Sequence, residues 1–591
     1  MRRARAKPEA ALFDEHEGRA AAASAARVTA HLAALEETEA DGVSMRKRQG
    51  SHYTPPALVG WVLGESLRAH GGRGASAPTT VLDPACGAGN FLLAAAERLA
   101  CSGGPRITDV LARSVFGIDV DEPAVALCRA RLAELIPGDA QPAERRAVEA
   151  ALAQHIVVGD ALDGRAIDAL VAGAVAPPRD GAFDLVVGNP PFLNQLERAT
   201  AASRARSAEL RERFGGAIGG YADLAGAFLL EALRVVRAGG AVGFVMPQSF
   251  LAAGDAGAVR ARVLEQASMR ALWSANERLF EDASVRVMAV VLRRCAGAGP
   301  QPLRRAFGAG FEQLQPRAVE MPAHDEPWSP LLSDAIGVPA LRASGAAGDA
   351  VAAIGSIARA TADFRDQFYG LRGAIRDLAE PPQGACARLP RLVSTRHVDL
   401  ARESWGVVDA RILGARYRHP RVDLAALAEV RGMTAWADAR LVPKVLVATQ
   451  TKVVEAVVDE RGEWLPLVPL ITVTLQSEAV EQGIDLWMLA AAIASPVVVA
   501  RAAARYYGTA LSGAAIKLSA RQLLEMPLPS ERALWRESAE ALREAAGDAA
   551  GDAAGDARRA ALERFARVSC AAHGLAAADA DAVVAFWRAR L

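Results

Sequence analysis

An apolar run that stops at two consecutive prolines is the feature that most limits how this chain can fold. Phe183–Gly188 has the composition of a buried strand, and Asn189, Pro190, Pro191 and Phe192 follow it directly. Proline has no N–H to donate to a sheet ladder and fixes its own φ, so the strand has to end there and the turn is stiff. Open α/β sheets bind ligands at the carboxyl ends of their strands, which predicts a ligand-facing turn at Asn189. The alternative interpretation is an ordinary break between a strand and a loop.

A glycine-rich turn earlier in the chain has the character of a second ligand-binding element. Thr80–Asp83 reads as a short buried strand, and Phe91–Ala100 reads as an alanine-rich helix. Glycine between them lets the backbone approach a ligand closely, and the helix N-terminus adds the positive end of its dipole. The residues that this turn offers to a ligand are Asp83, Ala85, Cys86, Gly87, Gly89, Asn90 and Phe91.

Together, the two stretches resemble the class I S-adenosylmethionine-dependent amino-methyltransferases that act on adenine in DNA. In that family D-P-A-C-G-x-G-x-F opens the cofactor site and N-P-P-[YF] forms the catalytic loop, which here correspond to Asp83–Phe91 and Asn189–Phe192. The resemblance implies a Rossmann-like α/β sheet with helices on both faces. It also implies S-adenosyl-L-methionine as the methyl donor, and double-stranded DNA as the substrate of a site-specific N6-adenine methyltransferase.

The order of the motifs narrows the resemblance further. The cofactor half precedes the catalytic half, as in stand-alone Type II modification enzymes and in the modification parts of Type I and fused systems. In those proteins a target-recognition domain comes last. Subunits of a restriction-modification system, or of a related phage-defence system, are therefore the expected partners.

An acid at the end of the second strand is the expected ribose ligand. Val115–Ile118 reads as that strand, and Asp119 directly follows it. A carboxylate in this place can accept hydrogen bonds from both ribose hydroxyls, as in dinucleotide-binding folds. We expect Val120 to pack against the adenine of the cofactor. Asp121 is the competing ribose ligand, although it also suits a helix cap.

Other cofactor residues follow from the resemblance alone. Asp160, at the end of a third strand, is expected to accept a hydrogen bond from the cofactor's adenine amino group, with Ala161 beside it. Tyr53 and Thr54 match the family turn that holds the methionine end. Thr54 also has a plainer interpretation as a helix N-cap, with Pro55 at the first helical position.

The target base is expected to lie between two aromatic rings. The resemblance places Phe280 opposite Phe192 across the adenine, although a core phenylalanine is the plainer interpretation of Phe280. A polar stretch after Phe192 predicts either a mobile loop that contacts phosphates or a solvated helix face. Its arginines are Arg198, Arg204, Arg206, Arg211 and Arg213.

The composition of the chain bears on which partners it can bind and on the cellular compartment in which it is expected. Lys+Arg and Asp+Glu balance at 68 each, so a DNA-binding surface has to be a local patch. The six cysteines show no paired zinc or redox spacing, which predicts reduced thiols and no metal site. No apolar signal core or membrane-spanning run is visible, so we expect a cytoplasmic protein without a membrane partner.

Four segments are expected along the chain. Residues 1–49 read as a helical arm and 50–299 as the methyltransferase domain. A mixed α+β target-recognition domain is expected over 300–530, and 531–591 reads as a helical tail with a low-complexity Ala-Ala-Gly-Asp linker.

The implied chemistry is direct methyl transfer. The Asn189 side-chain oxygen and the Pro190 carbonyl can accept both hydrogens of the adenine amino group and stabilise the charge that develops on its nitrogen. Two alternatives share the Asn-Pro-Pro loop, a methyltransferase of RNA and one of protein glutamine. A cytosine amino-methyltransferase uses the same geometry, but serine or aspartate more often replaces the asparagine. A catalytically weak DNA-binding subunit is the alternative from another class, and the intact Asp83–Phe91 and Asn189 weigh against it.

Overall fold

The chain divides into two compact units, Met1–Glu326 and Pro327–Leu591, in a computed structural model. The structure describes residues 54–70, 79–101, 104–173, 183–192, 204–219, 223–280, 285–295, 302–315, 321–323, 325–341, 352–382, 388–510, 512–513, 515–547 and 552–591. The expected N-terminal arm, Tyr53 and Arg198 lie outside these residues.

A nine-stranded sheet forms the centre of the first unit, in the order β3-β2-β1-β4-β5-β7-β6-β8-β9. Its strands are β1 (Val81–Asp83), β2 (Val115–Asp119), β3 (Ile156–Val158), β4 (Phe183–Gly188), β5 (Val236–Pro247), β6 (Ala267–Ser274), β7 (Val287–Arg294), β8 (Arg304–Phe307) and β9 (Glu312–Gln313). Strands β1 to β5 pair in parallel, and β7 runs antiparallel between β5 and β6. The strand order reverses between β1 and β4, which is where open α/β sheets place their ligand crevice.

Helices connect the strands of this unit. They are α1 (Pro56–Ala69), α2 (Asn90–Leu99), α3 (Ile107–Arg113), α4 (Glu122–Glu134), α5 (Pro142–His155), α6 (Arg165–Gly173), α7 (Arg204–Arg213), α8 (Leu224–Val235) and α9 (Gly257–Gln266). Alternate strand residues point to opposite faces, so Val81, Leu185 and Val187 share one face. They pack there in one hydrophobic core with Leu58 of α1 and Leu92 of α2.

Two consecutive glycines lie inside β5. The strand begins at Val236 and runs through both Gly239 and Gly240. Gly239 has φ of 78°, and the pairing register of β4 with β5 shifts between Phe183 and Leu185. A glycine pair can therefore bend a strand without ending it.

The end of the first unit differs from the expected domain boundary at residues 299 and 300. Strand β8 pairs in parallel with β6, and β9 pairs with β8, so both belong to the nine-stranded sheet of the first unit. The compact unit accordingly extends to Glu326.

The second unit contains two four-stranded sheets, in the orders β10-β21-β18-β19 and β11-β17-β12-β20, and two two-stranded pairs, β13-β14 and β15-β16. The strands are β10 (Ala358–Ala362), β11 (Ile375–Asp377), β12 (Arg391–Val393), β13 (Val398–Asp399), β14 (Arg402–Glu403), β15 (Ala410–Ile412), β16 (Ala415–Tyr417), β17 (Pro420–Val422), β18 (Lys444–Val447), β19 (Ala456–Asp459), β20 (Trp464–Pro466) and β21 (Ile471–Leu475). Strands and helices are interspersed here, which is the mixed α+β arrangement expected for this part of the chain.

The helices of the second unit are α10 (Arg365–Gly370), α11 (Leu424–Ala428), α12 (Met433–Arg440), α13 (Ser477–Glu481), α14 (Leu486–Ala494), α15 (Pro496–Tyr506), α16 (Ala520–Leu524), α17 (Arg532–Ala546), α18 (Asp552–Ala572) and α19 (Ala577–Arg588). Much of the expected low-complexity linker is helical, because α18 begins at Asp552. Helices α14 and α15 are separated at Ser495, and Pro496 opens α15. Among the described residues no single helix is long and apolar enough to cross a membrane, and one bent pair, α14 with α15, passes that test by length and composition.

Candidate active site

A buried acid and a glycine meet where the strand order reverses. Asp83 ends β1 with 2% of its surface exposed, and its Oδ1 accepts a hydrogen bond from the Ala85 amide at 3.0 Å. A Cβ added to Gly188, at the end of the neighbouring β4, would lie 2.6 Å from Asp83 Oδ1, so that position has no room for a side chain. Burial raises the pKa of Asp83 to about 8, against the lowering effect of the Ala85 hydrogen bond. The acid is therefore mostly protonated at neutral pH.

The amide of Asn189 is held at its nitrogen and is unsatisfied at its oxygen. Its Nδ2 donates to Thr54 Oγ1 at 3.0 Å, and Thr54 is 4% exposed. Its Oδ1 is buried and has no hydrogen-bond partner among the described residues. A buried acceptor left without a donor costs free energy, and a hydrogen bond from a ligand would remove that cost. The arrangement leaves one oriented acceptor for a hydrogen-bond donor that enters the site.

The same contact corrects the plainer interpretation of Thr54. Helix α1 begins at Pro56 with Pro55 as its N-cap residue, so Thr54 precedes the cap. Its hydroxyl accepts from Asn189 instead of capping the helix. Pro190 is buried and Pro191 is half-buried.

The glycine turn between β1 and α2 presents open backbone. Gly87 and Gly89 have φ of 51° and 86°, a region that side chains disfavour. A Cβ on Gly89 would lie 2.6 Å from Cys128 Sγ, whereas a Cβ on Gly87 would meet nothing within 4 Å. Space beside Gly87 is what a ligand lying against the turn would need.

The thiol in this turn is buried and contacts a second thiol. Cys86 is 5% exposed, and its hydrogen bond with Cys128, together with burial, raises its pKa well above the ordinary value. A thiol that stays protonated attacks poorly, because the thiolate is the reactive form. The contact therefore fixes the turn to α4, which carries Cys128.

Arg131 is a further support for the turn that the sequence did not reveal. Its Nη1 donates to the Ala88 carbonyl at 2.5 Å and to Asn90 Oδ1 at 2.9 Å. Phe91 is 2% exposed and packs in the hydrophobic core, so its ring anchors α2. The cofactor contacts predicted for Asn90 and Phe91 stay predictions.

The acid at the end of β2 is tied to the glycine turn. Asp119 Oδ2 accepts from the Gly87 amide at 2.8 Å, and its Oδ1 accepts from the Asp121 amide at 3.0 Å. Burial raises the pKa of Asp119, and these backbone hydrogen bonds oppose the rise. Val120 is 62% exposed, which leaves it available to pack against a planar ring. Asp121 is the N-cap residue of α4, although its side chain makes no capping hydrogen bond there.

The acid after β3 has a cationic partner. Asp160 Oδ1 accepts from the Leu162 amide at 2.8 Å and caps the short turn that begins at Ala161. Its Oδ2 forms an ion pair with Arg206 of α7. Ala161 is 2% exposed. The arginines after the catalytic motif were expected to contact phosphates or to lie on a solvated face, and this contact was missed.

The spacing of residues along α7 could have predicted that this helix packs against the unit. Arg206, Leu210 and Arg213 are four and three residues apart, which places them on one face of a helix. Leu210 is buried, and Arg213 forms an ion pair with Glu231 of α8. Two arginines flanking a leucine at this spacing therefore predict a packed face.

Two aromatic rings belong to the apolar side of the site. Phe280 is 6% exposed and lies within the hydrophobic core of the first unit, while Phe192 is half-buried and packs against the same core. Both rings thus reach one cluster, although 87 residues separate them in the sequence. Their contact with a target base stays a prediction.

Known proteins resemble this chain in sequence and in fold. The model of the N-6 DNA methylase family matches residues 42–298. The adenine-specific methyltransferase PglX of Streptomyces coelicolor is 31% identical over 176 residues, an alignment that covers 24% of this chain and 14% of that protein.

Two solved structures share the fold. The type IIL restriction-modification enzyme MmeI in complex with DNA has a TM-score of 0.54 at 12% identity, covering 94% of this chain and 80% of that one. The DrdV–DNA complex has a TM-score of 0.50 at 12% identity, covering 90% of this chain and 60% of that one. Both likenesses concern the fold, a mixed α/β arrangement with a large mixed sheet and many helices.

Proposed function

We propose that this chain, whose residues 42–298 match the N-6 DNA methylase family, is a site-specific DNA adenine methyltransferase. It would transfer a methyl group from S-adenosyl-L-methionine to the N6 nitrogen of adenine in double-stranded DNA. The observation that carries the proposal is the Asn189 amide, with its nitrogen held by Thr54 and its buried oxygen unsatisfied among the described residues. The amide lies at the reversal of the strand order, next to the glycine turn.

The residues at the carboxyl edge fit the cofactor. Open space beside Gly87 suits the methionine part, and the acids Asp119 and Asp160 end the strands that would flank the nucleoside. Exposed Val120 offers an apolar surface to the adenine ring. When bound, S-adenosyl-L-methionine supplies an electrophilic methyl group on a positively charged sulfur.

The chain's own contribution to the reaction is orientation and polarity. The lone pair of an adenine amino nitrogen is delocalised into the ring, so the nitrogen is a poor nucleophile. Asn189 Oδ1 and the Pro190 carbonyl would accept its two hydrogens, which favours a pyramidal nitrogen and stabilises its developing positive charge. The raised pKa of Cys86 weighs against a covalent thiol intermediate.

The target base has to leave the DNA helix before it can reach Asn189. Flipping costs a few kcal/mol, and stacking on an aromatic ring returns about 1–3 kcal/mol per base. Phe192, which ends the catalytic motif and is half-buried, is the ring we assign to this stacking. Phe280 would need to emerge from the core to form the second face.

The second unit supports DNA over the other substrates that share the Asn-Pro-Pro loop. Methyltransferases of RNA or protein glutamine usually lack a long segment after the catalytic core, whereas Pro327–Leu591 form a compact unit of their own here. We assign target recognition to that unit. Subunits of a restriction-modification or phage-defence system are the proposed partners, and the cytoplasm is the proposed location.

Methyl transfer to defined substrates tests the proposal. The full chain is incubated with tritiated S-adenosyl-L-methionine and duplex DNA from several genomes, and the labelled nucleoside is then identified. We expect N6-methyladenine within one sequence context, and none with Asn189→Ala. Label in cytosine, in RNA or in protein glutamine would overturn the substrate. Cofactor binding without transfer to any substrate would favour the DNA-binding subunit.

A further inference from the structure

Helix α7 is fastened to the first unit at two places of different strength. Arg206, near its start, pairs with Asp160, and Arg213, at its end, pairs with Glu231 at 2.9 Å. Leu210 lies between them on the same face and is 2% exposed. The helix therefore connects the turn after β3 with α8.

The contacts of Arg213 hold the end of α7 firmly against its neighbours. The Glu231 side chain is 1% exposed and accepts from both Arg213 and Arg234, which also pairs with Asp168 at 2.6 Å. The Arg213 side chain is 30% exposed, but its partner carboxylate is buried and Arg234 is shared with Asp168, so releasing Arg213 would leave the charge of Glu231 less well compensated. A Cβ on Gly164 would lie 2.4 Å from Arg213 Nη1, so the guanidinium fits closely against the turn that Asp160 caps.

The Arg206 end is easier to release. The two arginines are similarly exposed, but the Asp160 side chain is 40% exposed whereas that of Glu231 is 1% exposed, so water screens the Arg206–Asp160 attraction more strongly. Arg206 Nη1 also contacts Glu209 on its own helix at 3.3 Å. An arginine that leaves Asp160 would keep a carboxylate partner, which lowers the free-energy cost of the exchange.

We infer that Arg206 competes with the cofactor's adenine for Asp160. The inference rests on the proposed function, in which Asp160 accepts a hydrogen bond from the adenine amino group. Without cofactor, Arg206 satisfies Asp160 and holds the start of α7 against the site. Binding of adenine displaces the guanidinium toward Glu209, while Arg213 keeps the end of the helix in place. Because the guanidinium has to be displaced, the affinity for the cofactor is lower than it would be without Arg206.

A binding cycle with two nucleosides tests the competition. Calorimetry on the full chain measures S-adenosylhomocysteine and S-inosylhomocysteine, in which a carbonyl replaces the adenine amino group. Arg206→Ala should bind S-adenosylhomocysteine about threefold to fivefold more tightly, the change that loss of a half-exposed ion pair gives. The gain should vanish in Asp160→Asn and for S-inosylhomocysteine. Arg211→Ala, on the same helix and exposed, is the matched control and should bind like the wild type.

Each other result has a clear meaning. Weaker binding by Arg206→Ala would make Arg206 a cofactor ligand, and unchanged binding would mean that the pair survives cofactor binding. Both results overturn the competition. A wild type that binds no S-adenosylhomocysteine would instead count against the proposed function.

Hydrogen exchange gives a readout that does not depend on the affinities. In the wild type, S-adenosylhomocysteine should speed amide exchange at the start of α7 and leave the Arg213 end protected. Arg206→Ala should show fast exchange at that start before any ligand is added. Slower exchange at the start of α7 on binding would overturn the inference.

Discussion

Two buried aspartates in neighbouring parallel strands have opposite surroundings. Asp184, at the start of β4, is 0% exposed, and its Oδ2 accepts from the Thr80 amide at 2.8 Å and the Thr80 hydroxyl at 2.9 Å. Its Oδ1 pairs with Arg237. Asp83, at the end of β1, accepts from the Ala85 amide and has no ion pair among the described residues. Burial therefore raises its pKa to about 8.

The difference follows the direction of the strands. At the amino edge of the sheet, protein groups complete the hydrogen bonding of the buried acid, as stability requires. At the carboxyl edge, Asp83 lacks a cation and Asn189 Oδ1 lacks a donor within the described residues. Polar groups left incomplete at one edge are what a ligand site looks like before its ligand is present.

The largest loss of stability is expected when the ion pair of the buried Asp184 is removed. Asp184→Ala would leave Arg237, whose side chain is 15% exposed, without its carboxylate. Removing one partner of a buried pair costs about 3–5 kcal/mol of folding free energy. Urea denaturation of the full chain should show this loss. A loss below about 1 kcal/mol would mean that the amino edge is no better satisfied than the carboxyl edge.

Asn189→Ala should damage function instead of stability. It removes the oriented acceptor, and loss of one such polar group typically lowers turnover by about 10² to 10³-fold. Affinity for S-adenosylhomocysteine should stay close to that of the wild type, since the acceptor acts on the target nitrogen. Thermal unfolding should be unchanged or slightly improved, because a buried unsatisfied oxygen disappears. Turnover like that of the wild type would remove Asn189 from the catalytic assignment.

Asp83→Asn should change how stability depends on pH. The folded pKa of about 8 lies above the ordinary value of 3.8, so the folded chain retains a proton that the unfolded chain loses. Stability of the wild type should therefore fall as pH rises from about 4 to about 8, by roughly 1.4 kcal/mol per pH unit from this group.

The Asp83→Asn variant lacks the titrating carboxyl group. Measurements at two pH values are therefore enough to compare it with the wild type. Its stability relative to the wild type should grow by roughly 1.4 kcal/mol between pH 6 and pH 7. Urea denaturation at both values measures the change, and any constant effect of the substitution cancels. Parallel behaviour of the two proteins would mean that Asp83 is ionised in the folded chain at pH 7.

Sequence patterns predicted the residues at the carboxyl edge of the sheet better than the side chains that hold those residues in place. The strands before Asp83, Asp119 and Asn189 were recognisable because apolar runs end there in an acid or a proline. Motifs of this kind are local, so a linear reading captures them. The pairing of β1 with β4, which brings Asp83 beside Gly188, is visible only in the structure.

The sequence did not predict which arginines hold the site residues in place from distant parts of the chain. Arg131 reaches the glycine turn from α4, and Arg206 reaches Asp160 from α7. Neither contact leaves a local mark beyond an arginine on a helix, and surface arginines are common. The extent of the first sheet was missed for a related reason, since β8 and β9 join it after a segment without a recognisable motif.

The smallest predicted effect concerns the hydroxyl that links the two halves of the site. Thr54 Oγ1 accepts from Asn189 Nδ2 at 3.0 Å, and the two residues are 135 positions apart in the sequence. Thr54→Val keeps the shape and removes the acceptor, so Asn189 Nδ2 would be left without its anchor and the amide could rotate. A lost neutral hydrogen bond is worth about 1 kcal/mol, which predicts roughly a fivefold fall in turnover with little change in S-adenosylhomocysteine affinity. Thr54→Ser keeps the hydroxyl and is the matched control, with turnover near that of the wild type. Equal turnover in the valine and serine variants would show that the Pro-Pro turn alone orients Asn189, and the carboxyl edge would then be rigid without help from α1.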